Sequence, residues 1–208
     1  MEKLTKLFKI IEITRNQPQY GYNLSGIQKA DTSDLAQHQY LVTFIAWQLA
    51  LHLNKKGAKL NILKVLEIAI VHDIGELFGG DISFHYGRAN KPARQAAKAF
   101  EKENIKFLSK LFEDPKQLLE LNTLECGEIT SDEAIVARFA DLVEALHYKF
   151  TLDKLQKNDI KQTVKDLKKR LMDTKDSVVR KELKKFLTIW PKALLSESVI
   201  DIIWSMKD

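Results

Sequence analysis

The chain has 208 residues, 45% apolar and 29% charged, with a net charge of +5, which is a composition able to bury a sizeable core and unlike that of a disordered or fibrous chain. No stretch approaches the roughly 20 apolar residues of a membrane-spanning helix. The single cysteine, Cys126, excludes an internal disulfide and a cysteine-based zinc site. The first residues, Met1-Glu2-Lys3-Leu4, lack the cationic, apolar and small-residue regions of a signal peptide, so a cytoplasmic location and no membrane attachment are expected.

Residues 4–13 place Leu4, Leu7, Phe8 and Ile11 at helical spacing. Asn16 to Tyr22, with Pro18 and Gly21, breaks that helix, and an irregular loop runs to Asp31. Thr32 or Ser33 is the expected cap of a second helix, with His38 in its first turns and basic residues before Gly57 at its end. Asn61 caps a third, which is read as carrying His72 and Asp73 and stopping at Gly79-Gly80. Asn90 and Pro92 open a fourth that ends before Asp114-Pro115. Thr130-Ser131-Asp132-Glu133 reads as a capping box for a helix whose apolar side carries Ala134, Ile135, Phe139, Leu142, Val143 and Leu146, with Asp141 close to that side. Two or three amphipathic helices follow, the last carrying Leu194, Leu195, Val199, Ile202 and Ile203. No segment alternates with period two, so the predicted class is all-α.

The chemistry gathers at His72-Asp73-Ile74-Gly75-Glu76, behind the apolar run Ile62 to Ile70. If the helix continues, Glu76 lies four residues past His72 and three past Asp73, so one face collects all three. Ionisable groups buried behind an apolar run need compensation, and a metal ion supplies it. His38, His72, Asp73 and Asp141 then form a mixed nitrogen and oxygen set, suited to one divalent transition metal, Mn, Fe, Co, Ni or Zn, more than to Mg. An ion so held acidifies water and neutralises a phosphate oxygen, and Glu76 is placed to orient or deprotonate that water. His52, fourteen residues beyond His38 and about 21 Å along the helix axis, is too distant to join, and His147 points to another face. His85, four past Asp81, is a candidate pocket residue.

With these segments in view the chain resembles the HD-domain metal-dependent phosphohydrolases, whose signature is H…HD…D. It is most similar to the small 5′-deoxynucleotidase-like members. The matching segments are Ala36-Gln37-His38, His72 to Glu76 with Gly80-Asp81-Ile82, and Glu133-Ala134 leading to Arg138-Phe139-Ala140-Asp141. The likeness covers roughly Asp34 to Leu146 well, the N-terminal loop weakly, and the region after Phe150 hardly at all. It implies an HD-domain helical bundle with additional C-terminal helices, one domain over 1–208 with a core of about 30–150 and a packed extension at 151–208. It also implies metal ligation by His38, His72, Asp73 and Asp141, and catalysis and substrate positioning by Glu76 and Asp81. The implied activity is release of phosphate from (deoxy)nucleoside 5′-monophosphates, by a homodimer in which the apolar C-terminal helix with Trp204 serves the interface.

Two departures bear on the substrate. Gln37 stands where relatives have an acidic residue before the first histidine. Their N-terminal loop carries an arginine before Gly-Trp, where this chain reads Gln19-Tyr20-Gly21-Tyr22. Tyr22 keeps the aromatic, and Arg15, Arg88 or Lys91 are the candidate replacements for the phosphate-gripping cation. A second enzymatic reading keeps the site but takes a phosphodiester or polyphosphorylated nucleotide. A non-enzymatic reading uses the region Thr151–Phe186, with twelve basic and six acidic residues, as a nucleic-acid surface around a relic site. Signs alternate there among apolar positions, which favours a solvated helix face over nucleic-acid binding, and retention of the whole candidate set argues against a relic.

Overall fold

The computed structural model describes residues 1–125, 130–196 and 198–206. Cys126 lies outside the described residues. These residues form helices and short 3₁₀ turns, with no strand among them beyond an isolated bridge between Pro18 and Asp34, and the all-α class holds. Helix α1 spans Glu2–Ile11, and 3₁₀ turns and bends carry the chain to α2, Leu35–Lys55. The cap of α2 is Asp34, whose carboxylate accepts the Gln37 amide at 2.8 Å, rather than Thr32 or Ser33. Ser33 is instead occupied by the bridge, its carbonyl accepting the Gln19 amide at 3.0 Å.

Helix α3, Ile62–Val71, begins at Asn61 as its sequence indicates, with the Asn61 side chain accepting from the Lys64 amide. It does not continue to the glycine pair. His72 is its last cap position, Asp73 leaves helical geometry at φ −110 and ψ 13, and Ile74–Glu76 make a 3₁₀ turn. The Ala69 carbonyl is engaged there by the His72 ring at 2.8 Å. Gly80 then turns the chain at φ +104 against the Phe100 ring, 2.9 Å from where a Cβ would stand, a conformation that favours glycine.

A short helix α4, Phe84–Ala89, precedes α5, Lys91–Ser109, whose Asn90 cap and Pro92 were legible in advance. Helix α6, Pro115–Glu125, is an addition to the sequence reading. Asp114 accepts the Lys116 and Gln117 amides at its start. Helix α7, Asp132–Thr151, is capped by Ser131, but Glu133 does not close a capping box. It accepts the Asn61 amide and so ties the start of α7 to the start of α3. Helices α8, Lys157–Arg170, α9, Ser177–Ser196, and α10, Val199–Ser205, complete the chain. The expected last helix is thus two, with Leu194 and Leu195 in α9 and Val199, Ile202 and Ile203 in α10. No residue of α10 is buried.

The larger core lies where α2 packs on α3 and α7, with α8 and α9 added from outside. Val42, Ala46, Ala50 and Leu53 line the inner side of α2, while Tyr40, Phe44 and Trp47 remain outside. A smaller core joins Leu35, Ile74, Leu77, Ile105, Leu108 and Leu118, holding the 3₁₀ turn against α5 and α6. At this seam Gly75 has no room for a side chain. A Cβ there would stand 2.5 Å from Glu101 Cγ and 3.1 Å from the Glu101 carbonyl oxygen, while the Gly75 carbonyl accepts Asn104 Nδ2 at 2.7 Å. Gly75→Ala is therefore expected to push α5 off the turn at a cost of about 1–3 kcal/mol, read as a fall of several degrees in Tm. An unchanged melting temperature would show that the seam is loose.

Candidate metal centre

Three helices deliver the candidate ligands to one buried point. His38, 2% exposed, comes from the first turns of α2, and His72 and Asp73 from the end of α3. Asp141 comes from the middle of α7. His38 Nε2 lies 3.2 Å from His72 Nε2, 3.4 Å from Asp73 Oδ2 and 3.4 Å from Asp141 Oδ1, and His72 Nε2 lies 3.2 Å from Asp73 Oδ2. His38, His72 and Asp73 alone bring three ligand atoms within 4.8 Å of one another, and such a group can hold a metal ion.

The hydrogen-bond partners on the far side of each ring decide which atoms face inward. His38 Nδ1 lies 2.6 Å from Glu144 Oε2, and His72 Nδ1 2.8 Å from the Ala69 carbonyl oxygen. A carboxylate and a carbonyl only accept, so each Nδ1 carries the hydrogen and each Nε2 presents its lone pair to the centre. With both imidazoles neutral, two lone pairs and two carboxylate oxygens converge with no donor between them, an arrangement that added protons or a metal cation satisfy. Ligand bonds of about 2.1 Å place neighbouring ligand atoms about 3.0 Å apart in an octahedron and about 3.4 Å in a tetrahedron, which is the spacing seen.

Electrostatics at the centre follow from the same contacts. Burial works against a charged His38, but hydrogen bonding with Asp141, Asp73 and Glu144 outweighs it and holds the ring well above the ordinary histidine range. His72 is raised in the same way, chiefly by Asp73. Burial would lift the Asp73 carboxyl, yet His72 and His38 hold it well below its usual value. Asp141 is likewise lowered, first by Arg138, whose guanidinium bonds Asp141 Oδ2. Glu76 goes the other way: burial, and then the charges of Asp73, Asp81 and Glu101, push it well above an ordinary glutamate. Asp81 is raised by burial despite accepting the Gly21 amide at 2.6 Å.

The centre forms the floor of a cavity of about 580 Å³. Its walls come from the N-terminal loop, the segment after Gly80, and helices α5, α7 and α8. Tyr22 is buried on the floor, its ring 5.1 Å from that of Tyr148. His85 lines the cavity with Nε2 3.3 Å from Asp159 Oδ1, and Arg88 lines it while reaching Asp166 at 2.8 Å. Arg15 is not brought there. It is exposed and pairs with Glu12 at 2.8 Å. Gln19 does line the cavity, buried and uncharged. His52 sits beside Glu182, and His147 accepts from Trp190 Nε1 at 3.0 Å, both outside the centre.

A family model described as 5′-deoxynucleotidase YfbR-like matches residues 22–190. The chain belongs to the YfbR-like family. Two solved structures share the fold. A conserved hypothetical protein from Pyrococcus furiosus is 23% identical, with a TM-score of 0.65, over 88% of this chain and 98% of that one. The PH0347 protein from Pyrococcus horikoshii is 22% identical, with a TM-score of 0.67, over 88% and 96%. No curated protein matches the chain.

The family match extends past Phe150, where the resemblance in the sequence is weakest, through α8 and most of α9. The structure supplies the reason. The face of α8 with Asp159, Gln162, Thr163, Asp166, Lys169 and Arg170 is a wall of the cavity in this YfbR-like chain. Sequence reasoning also passed over Glu144, Arg138 and Glu101. The first two have a visible signal: both lie three residues from Asp141, one turn along α7 in either direction.

Glu144 orients the His38 ring through a buried contact, so its loss should matter without touching the ion. Glu144→Ala is expected to weaken metal affinity about 10–100-fold, the usual effect of removing a ligand's carboxylate partner. Glu144→Gln, which keeps an acceptor, should cost less. Competition titration against a chelating indicator measures both, and equal affinity in all three proteins would deny Glu144 this part.

The pH dependence has a definite sign. A histidine raised in the folded state contributes stability that is full below its unfolded pKa, near 6.5, and is lost as pH rises through the folded value. The lowered Asp73 and Asp141 lose their contribution only in stronger acid. A bound cation takes the place of the imidazole protons. The gap in Tm between metal-loaded and chelated protein should therefore widen as pH rises above about 6.5. Melts with and without chelator test this, and a gap that narrows with rising pH would contradict it.

Proposed function

We propose that the chain is a metal-dependent phosphohydrolase that releases phosphate from (deoxy)nucleoside 5′-monophosphates. The observation that carries this reading is the set of inward-facing lone pairs at the cavity floor, in a chain of the YfbR-like 5′-deoxynucleotidase family. His38, His72, Asp73 and Asp141 would hold one divalent ion, and the two-nitrogen, two-carboxylate set suits Mn, Fe, Co, Ni or Zn. Such an ion, when bound, polarises a phosphoryl oxygen and acidifies water.

The remaining steps fall to the protein's own groups. Glu76 lies three residues beyond Asp73 on the 3₁₀ turn, where burial and the charges of Asp73, Asp81 and Glu101 raise its affinity for a proton. Water adds to phosphorus, the bond from phosphorus to the 5′ oxygen breaks, and the proton that Glu76 removes from water is available to that leaving oxygen. Asp81, fixed by the Gly21 amide, joins the N-terminal loop to the floor and positions the substrate with Tyr22. A panel of nucleoside monophosphates, diphosphates and phosphodiesters, assayed for phosphate release by the metal-loaded protein, tests the substrate class. Release from no monophosphate would overturn it.

Two neighbouring carboxylates separate ligand from proton carrier. Asp73→Ala should lose both metal and turnover. Glu76→Ala should keep its metal and lose about 10²–10⁴-fold in kcat, the contribution of a positioned acid or base. Metal per chain and kcat are measured on both variants. If Glu76→Ala is stripped of metal as thoroughly as Asp73→Ala, or retains full activity, the assigned proton transfer is wrong.

A further inference from the structure

Helix α5 presents one face to the cavity and then buries the continuation of the same face. Arg94, Ala97, Lys98 and Glu101 line the cavity at positions i, i+3, i+4 and i+7. Ile105 and Leu108, next along the stripe, are packed against Leu35, Ile74 and Leu77. The depth of this face is set at Glu101, whose Cγ and carbonyl press on Gly75 and whose charge is felt by Glu76. Lys98 lies one turn outward from Glu101 and Arg94 two, about 4.5 Å and about 10.5 Å along the helix axis. Lys98 thus lines the cavity one turn from Glu101, and Arg94 lines it one turn further toward the start of α5.

The floor is rich in carboxylates: Asp73, Glu76, Asp81, Glu101 and Asp141. A phosphate dianion brought beside them needs cations that can turn to it. Arg138 is held on Asp141, Lys149 lies 3.3 Å from Asp159, and Arg88 2.8 Å from Asp166. Lys98 and Arg94 have no ion pair or side-chain hydrogen bond among the described residues. Neither Arg15, tied to Glu12, nor Gln19 supplies a cation from the N-terminal loop.

We propose that α5 carries the phosphate-binding subsite of this cavity, with the Lys98 ammonium on the terminal phosphate oxygens and Arg94 reinforcing it from one turn nearer the start of the helix. The assignment rests on the phosphohydrolase reading, and it places the cation that grips the phosphate on α5, away from the N-terminal loop. A lysine serves here as a point charge on a flexible stem, able to follow oxygens whose geometry changes as the bond to phosphorus breaks.

The test is calorimetric titration of inorganic phosphate into the metal-loaded protein, with Lys98→Ala, Lys98→Arg and Arg94→Ala beside the wild type. Lys98→Ala should weaken phosphate binding about tenfold or more, the size of one charge-assisted hydrogen bond, with metal content and Tm unchanged. Lys98→Arg should recover most of it, and Arg94→Ala should lose less. KM for a phosphomonoester should rise with the phosphate dissociation constant. Phosphate binding that is indifferent to Lys98, undetectable in the wild type at millimolar concentration, or lost only together with the metal overturns the subsite. Hydrolysis of monophosphates with Lys98-independent phosphate binding removes the subsite and leaves the phosphohydrolase reading standing. Lys98-dependent phosphate binding without hydrolysis of any monophosphate does the reverse.

Discussion

The convergence of two imidazole lone pairs and two carboxylate oxygens at the junction of α2, α3 and α7 is the constraint on which the rest of the structure depends. Acceptors at 3.2–3.4 Å repel unless a proton or a cation lies among them. Three of the four residues are nonetheless held by a partner outside the centre: Glu144 for His38, the Ala69 carbonyl for His72 and Arg138 for Asp141. The larger core around Val42, Ala46, Val65, Ile68, Phe139 and Ala140 keeps the three helices at this separation. Packing energy thus maintains an electrostatic arrangement that would not form by itself.

The end of α3 shows how the backbone serves the same purpose. A helix continued through Asp73 would give the Ala69 carbonyl a backbone donor in competition with the His72 ring, which takes that carbonyl at 2.8 Å. Stopping at Val71 frees that carbonyl. The 3₁₀ turn that follows lets Gly75 meet α5 without a side chain, and sets Glu76 beside both Asp73 and Glu101. Glu76 and Asp73 are three residues apart yet driven in opposite directions. Asp73 faces the imidazoles and is lowered, whereas Glu76 is raised by burial and then by the carboxylates around it. That divergence is what acid–base chemistry beside a cation requires.

The outer walls are less uniform than the floor. Helix α8 turns both signs of charge toward the cavity, and its acids engage His85, Arg88 and Lys149 from other elements. The charge alternation that reads in the sequence as a solvated surface is therefore partly an internal wall, where each acid neutralises a base across the cavity.

Composition, helical periodicity and the caps at Asn61, Asn90 and Ser131 were readable from the chain alone, because each depends on neighbours within four residues. The set His38, His72, Asp73 and Asp141 was readable as well, since buried ionisable groups on apolar helices call for a common partner. The inner side of α2 was not, because apolar residues surround that helix and only the position of α3 and α7 decides that Val42 is inside and Phe44 outside. The early end of α3, the place of Glu144 behind His38 and the facing of α5 and α8 into one cavity belong to the tertiary structure. They join residues 29 to 106 positions apart, and no local propensity carries information over such separations.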